Sequence, residues 1–141
     1  QASYSYGAPA YEATSTVNEI ADDDVVVNTP TNYGNSYPVG QCTWGVKELA
    51  PWASNWWGNA NTWAIYASAQ GYKTGSVPVV GAIAVWDGGE YGHVAYVTDV
   101  QSENSIQVLE ANYRRQKQIA NYRGFFNPHK FLGNVTYIYP N

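Results

Sequence analysis

Charge is scarce in this chain. Only 13 % of its 141 residues are Asp, Glu, Lys or Arg, and the net charge is −4. A nucleic-acid binder needs a basic face to meet phosphates, and seven Lys and Arg against eleven Asp and Glu do not supply one. No apolar run is long enough to cross a bilayer, and the N-terminus lacks the basic region and apolar core of a signal peptide. Neither a phosphate loop nor a Gly-x-Gly-x-x-Gly strand-to-helix turn occurs. There is one cysteine, Cys42, so no intrachain disulfide can form. One Cys and two distant histidines, His93 and His129, show no ligand spacing, so no metal and no cofactor is expected.

What the chain does have is aromatic surface chemistry. Thirteen Tyr and six Trp, with abundant Asn and Ser, suit an extracellular protein that handles sugars or peptides. The charge is unevenly placed. Residues 1–35 carry Glu12, Glu19, Asp22, Asp23 and Asp24 with no Lys or Arg, a net −5, whereas residues 36–141 carry seven basic and six acidic groups, a net +1. Residues 1–35 sustain no helical or strand period and read as a flexible acidic linker, in which Val25–Val27 is the one candidate edge strand. The opening at Gln1, in linker composition, is expected to continue a longer protein. Residues 36–141 suffice for one domain with a core.

Within that domain Cys42, Val46 and Leu49 fall at i, i+4, i+7, which predicts a helix over 42–52 ended by Pro51. A second helix is expected from an Asn59 or Asn61 cap through Gln70, with Trp63, Tyr66 and Ala67 on its inner side and Gly71 as its stop. Strands follow over 81–87, 93–100, 105–112 and 135–139, and residues 113–133 form a long basic-aromatic loop with a short strand near 119–122. Two helices followed by consecutive antiparallel strands make an α+β pattern.

The chemistry converges on Cys42. At the start of a helix a cysteine feels the positive end of the macrodipole, which favours thiolate. On the second strand His93, Ala95 and Val97 share one face, opposite Val94, Tyr96 and Val100. On the third strand Ile106, Val108, Glu110 and Asn112 share a face, and a carboxylate continuing an apolar face needs a partner. Accepting the Nδ1–H of His93 would provide it and steady an imidazolium. Gln41 is placed to donate its side-chain N–H to an oxyanion, a contact worth about 3 kcal/mol in comparable sites. The plainer alternatives stay open at this point: Cys42 as a buried apolar filler, His93 as a surface residue, and Glu110 paired with Arg114 or Arg115. Trp44 and Trp86, inside predicted elements, belong to the core.

The blocks Gly40-Gln41-Cys42-Thr43-Trp44, Trp57-Gly58-Asn59-Ala60 with Trp63, Pro78 with Gly81, Tyr91 to Val97 and Glu110-Ala111-Asn112-Tyr113 resemble the CHAP domain, the cysteine, histidine-dependent amidohydrolases/peptidases that cut bacterial peptidoglycan. The resemblance covers about residues 36–140. Its finer texture, Trp52-Ala53, Asn121-Tyr122-Arg123-Gly124 and the terminal Tyr-Ile-Tyr-Pro-Asn, is similar to the PcsB-type secreted cell-wall proteins of streptococci.

The resemblance implies a papain-like fold, CHAP/NlpC-type, with N-terminal helices packed on an antiparallel sheet. It implies Cys42 as nucleophile, His93 as base, Glu110 as its orienter and Asn112 as a further polar site residue. It also implies a secreted protein acting on peptidoglycan at the cell wall as amidase or endopeptidase, in wall remodelling or cell separation, with an upstream coiled coil and a cell-division partner. Trp63, Tyr91 and Tyr113 are candidate groove walls for glycan and peptide stems, or plain packing. Two other readings remain: a wall-binding or division-scaffold module with little activity, and an NlpC-type endopeptidase. The Gln-Cys-Thr-Trp and Glu-Ala-Asn blocks favour CHAP over the latter.

Overall fold

The computed structural model describes residues 34–141. The Val25–Val27 strand and nearly all of the acidic linker lie outside the described residues. Asn35 is already tied to the domain, donating its Nδ2 to the Trp44 carbonyl and to Glu48 Oε2, both at 2.9 Å.

Helix α1 spans Cys42–Leu49 and stops three residues short of the expected end, because Ala50 leaves helical geometry ahead of Pro51. All eight of its residues are buried, including Lys47 and Glu48. A helix enclosed on every side must satisfy its polar groups locally. Lys47 does so by donating Nζ to the carbonyls of Pro51 and Ala53 just beyond the C-terminus, and Glu48 by accepting from Asn35. Gly45 lets the helix approach closely: a Cβ there would sit 2.9 Å from that of Ala111.

The second helix starts as a 3₁₀ turn, Ala60–Thr62, and continues as α2, Trp63–Ala69. Asn59 holds the cap position of the 3₁₀ turn without making a side-chain cap bond, and the Asn61 side chain donates instead to the Glu90 carbonyl. Trp63 and Ala67 face inward as expected, but Tyr66 is 47 % exposed. Trp63 and Ala67, four residues apart, fix the inner stripe, and Tyr66 falls at its edge, toward solvent. Gly71, at φ +99, ends the helix.

Among the described residues five strands form one antiparallel sheet: β1 Thr74–Gly75, β2 Ile83–Trp86, β3 His93–Ser102, β4 Ser105–Leu109 and β5 Val135–Ile138, in the order β1-β5-β2-β3-β4. The two-residue β1 has no sequence period of its own, and it exists through pairing with β5. Alternation sorts the side chains into two layers. Ile83, Val85, Val94, Tyr96, Leu109 and Ile138 face α1, α2 and Trp57. Ala84, Trp86, Ala95, Val97, Val108 and Tyr137 face the other way, toward Phe126, Phe131 and Leu132.

A β-bulge at Thr98, where Val97 and Asp99 oppose Val108 and Gln107, flips the alternation. Val100 therefore packs with Ala95 and Val97, not with Val94 and Tyr96 as strict alternation predicts. Residues 113–133 return along β4 and touch it at two isolated bridges, Glu110↔Ala120 and Ile106↔Phe126, where one short strand was expected.

Candidate active site

Cys42 is the first residue of α1, 9 % exposed, at the floor of an open cleft of about 1230 Å³. Gly40, at φ +92, makes the turn that feeds the helix and packs against the Lys117 stem. His93 opens β3 directly after Gly92, whose φ of +74 and close contact with the Trp86 carbonyl and the Asn61 backbone leave no room for a side chain. The His93 and Glu110 side chains lie on the sheet face away from the helices, and His93 sits at the strand end nearest the start of α1, so it meets Cys42 there.

His93 Nε2 lies 2.9 Å from Glu110 Oε1. The nitrogen facing Glu110 is thus Nε2 and not the expected Nδ1, which leaves Nδ1 for Cys42, its neighbour in the cleft lining. The ring projects from the first residue of β3, and its far nitrogen reaches the carboxylate just beyond β4. Burial alone pulls His93 toward neutrality. The hydrogen bonds to Cys42 and then to Glu110, with the charges behind them, outweigh it and raise His93 from 6.5 to about 9. That shift favours the imidazolium, with Nε2 toward the Glu110 carboxylate.

Glu110 is fully buried and does not pair with Arg114 or Arg115, which are exposed. Its second partner is Arg123, a residue sequence reasoning missed as a site group. Arg123 donates Nη2 to Oε1 at 2.6 Å and Nε to Oε2 at 2.9 Å, a bidentate fork. Its guanidinium lies 4.0 Å from the ring centres of both Phe126 and Phe131 and 4.3 Å from that of Tyr113. Burial pushes the Glu110 carboxyl up, but the bonds from Arg123 and then His93 reverse this and hold it below 4.5. The available signal was an arginine set among Tyr122, Phe125 and Phe126, thirteen residues beyond Glu110.

The remaining expected residues divide. Asn112 does not continue the β4 face: at φ 57 it leaves the strand, donates Nδ2 to Gln41 Oε1 at 3.3 Å and accepts from Lys117 Nζ. Gln41 is exposed at the cleft, one residue before Cys42, with no cap bond. Tyr91, 58 % exposed, and Tyr113 line the cleft. Trp63 does not. It is wholly buried, 5.3 Å from both Tyr37 and Trp57, with Nε1 donated to the Gly58 carbonyl, because its helix turns it to the core. Trp44 and Trp86 are buried as expected. Among the described residues no Asp or Glu lines the cleft, whereas Arg114, Arg123 and Lys130 do, and no group of three or more His, Cys, Asp and Glu is placed to hold a metal ion. No helix among them is long and apolar enough to cross a membrane.

The CHAP domain family model matches residues 32–112. A protein of Streptococcus mutans serotype c is 58% identical over 109 residues, 76% of this chain and 52% of that protein. The N-acetylmuramoyl-L-alanine amidase sle1 of Staphylococcus aureus is 41% identical over 117 residues, 79% of this chain and 34% of the relative. A crystal structure of an N-acetylmuramoyl-L-alanine amidase from Staphylococcus aureus superposes with a TM-score of 0.70 at 26% identity, covering 87% of this chain and 36% of that one. The chain thus spans about half or less of the length of the relatives it matches.

Proposed function

The chain belongs to the CHAP domain family, and from that premise we propose that it is a peptidoglycan hydrolase that cuts an amide bond with Cys42 as nucleophile. The observation that carries this is that Cys42, from the helix layer, and His93, from the opposite sheet face, line one cleft, with Glu110 buried behind His93. The names of the staphylococcal relatives support the muramoyl–L-alanine bond as target over a bond within the peptide stem. A cleft bordered by Arg114 and Lys130 and by no carboxylate suits a substrate whose peptide carries free carboxylates.

The steps follow from the proton positions. Cys42 thiolate attacks the amide carbonyl carbon, and the oxyanion takes hydrogen bonds from the Gln41 side-chain amide and from N–H groups of the first turn of α1. The C–N bond breaks as His93 gives a proton to the leaving amine. Neutral His93 then takes a proton from water, and the hydroxide attacks the thioester. The acyl product leaves as a carboxylic acid and Cys42 returns as thiolate beside a reprotonated His93. Glu110 stays ionised throughout and steadies the imidazolium. Tyr91 and Tyr113 offer aromatic faces to the glycan or the stem. The proposed setting is the wall, outside the cytoplasm, in remodelling or cell separation, with an upstream coiled-coil region and a division partner as docking elements.

Digestion of purified sacculi, with mass analysis of the products, tests this. Wild type should release intact stems with free L-alanine amino groups, and Cys42→Ala should release none. Split stems would reassign the target to an endopeptidase bond, and equal release by both proteins would remove Cys42 from the chemistry.

A further inference from the structure

We propose that Arg123 is a positioning residue of the site, fixing the charge and the aim of Glu110 and so, through it, the imidazolium of His93. The inference rests on the reading of Cys42 and His93 as the reacting pair, and it adds a fourth member at the far end of the relay. Arg123 lies outside the stretch 32–112 that the family model matches.

Glu110 is cut off from water, so every lone pair it uses must find a protein donor. His93 supplies one and Arg123 supplies two, with Oε1 shared between Nη2 of Arg123 and Nε2 of His93. With His93 alone, a buried carboxylate keeps one donor and drifts toward its neutral acid, which no longer holds an imidazolium. Two donors in a rigid plane also set the plane of the carboxylate, which aims Oε1 at His93. A single ammonium could supply the charge but not the plane.

The guanidinium is itself immobilised. Phe126 and Phe131 approach it at 4.0 Å and Tyr113 at 4.3 Å, and the segment carrying it is pinned to the β4 side at Glu110↔Ala120 and Ile106↔Phe126. Tyr113, Phe126 and Phe131 also line the cleft, so the cage that holds Arg123 forms part of the substrate wall.

The experiment has two arms. In Arg123→Lys the kcat on soluble wall fragments should fall by about tenfold or more with KM little changed. The acidic limb of kcat/KM should move to higher pH, since Glu110 now protonates more readily. A variant with native near-ultraviolet dichroism, unchanged kcat and an unmoved acidic limb would overturn the proposal. The second arm needs no variant to fold and no substrate: the Glu110 side-chain carboxyl is titrated by carbon NMR in the wild-type chain. It should remain ionised below pH 4.5, and titration at or above that value would overturn the proposal. An inactive wild-type chain whose Glu110 titrates low would overturn the hydrolase reading alone, since the hold of Arg123 on Glu110 and His93 is read without turnover.

Discussion

The two faces of the sheet are buried by different means. One is covered by helices: Trp44, Val46 and Leu49 of α1 and Trp63 and Ala67 of α2 meet a dry apolar layer of strand residues. The other is covered by an irregular segment pinned at two bridges, and its floor holds an imidazolium, a carboxylate and a guanidinium in hydrogen-bonded sequence. The helix face derives its stability from area and shape. The loop face is stable only while its charges stay paired, because breaking a buried pair costs more than the pair contributes. The proposed chemistry sits where the faces meet, the thiol from one and its partners from the other.

The sharpest way to break this contrast is on the charged side. Glu110→Gln should keep the fold and lower the hydrolysis rate by about 10³- to 10⁴-fold, as loss of the orienting carboxylate does in comparable triads. Leaving Arg123 with a neutral partner should also lower stability, by up to about 3–5 kcal/mol. Turbidity loss of sacculi and a urea midpoint measure the two, and an unchanged rate would take Glu110 out of the site.

On the helix side the expected loss is in stability. Trp63→Ala should cost about 3–5 kcal/mol, whereas Tyr66→Ala, three residues along and exposed, should stay within about 0.5 kcal/mol. Chemical denaturation distinguishes them, and a tolerated Trp63→Ala with a raised KM would return Trp63 to the groove.

Dependence on pH should belong to the loop face. His93 is raised from 6.5 to about 9, so the folded chain holds that proton more tightly. The stability this supplies is complete below 6.5 and is lost as pH rises through about 9. Glu110 is lowered from 4.5, so its share is present above 4.5 and is lost as pH falls through its lower folded value. Stability measured against pH should form a plateau between 4.5 and 6.5. In Cys42→Ala, which removes the neighbour that raises His93, the alkaline decline should shrink. A decline identical in both proteins would separate His93 from the thiol.

The smallest effect is expected at the contact joining the two sides. Gly45→Ala puts a Cβ 2.9 Å from that of Ala111, an overpacking cost of about 1–3 kcal/mol against a gain of at most about 1 from helix propensity. A more stable variant would show that α1 moves freely on the extension of β4.

What could be read from the chain follows the same division. Helix α1 and the inward faces of β2 and β3 were legible because their side chains repeat with the element's own period. Cys42 stands out as the lone cysteine at a helix start, His93 as one of two histidines, and Glu110 as a carboxylate continuing an apolar face. The loop face has no period. Arg123 reaches Glu110 through tertiary folding of a segment with no regular element, so its aromatic neighbours in the chain mark it as unusual without naming its partner. The bulge at Thr98 moves Val100 between layers without a glycine to mark it. Whether Nδ1 or Nε2 faces the carboxylate depends on where the strand starts relative to the helix, which alternation does not encode. For Trp63 the packing alternative holds, and its place on the inner side of the helix already favours packing over the groove.

The placement of Cys42 on the cleft floor has a consequence for how the chain can be watched. With one Cys and no Met, its sulfur is the only sulfur in these 141 residues. Sulfenic, sulfinic or sulfonic oxidation can therefore occur at one position alone, and no second thiol within the chain is available to reduce it through a disulfide. Recovery from a sulfenic acid depends on a thiol supplied from outside. A sulfur X-ray absorption spectrum of the whole chain reports the chemical state of that single atom.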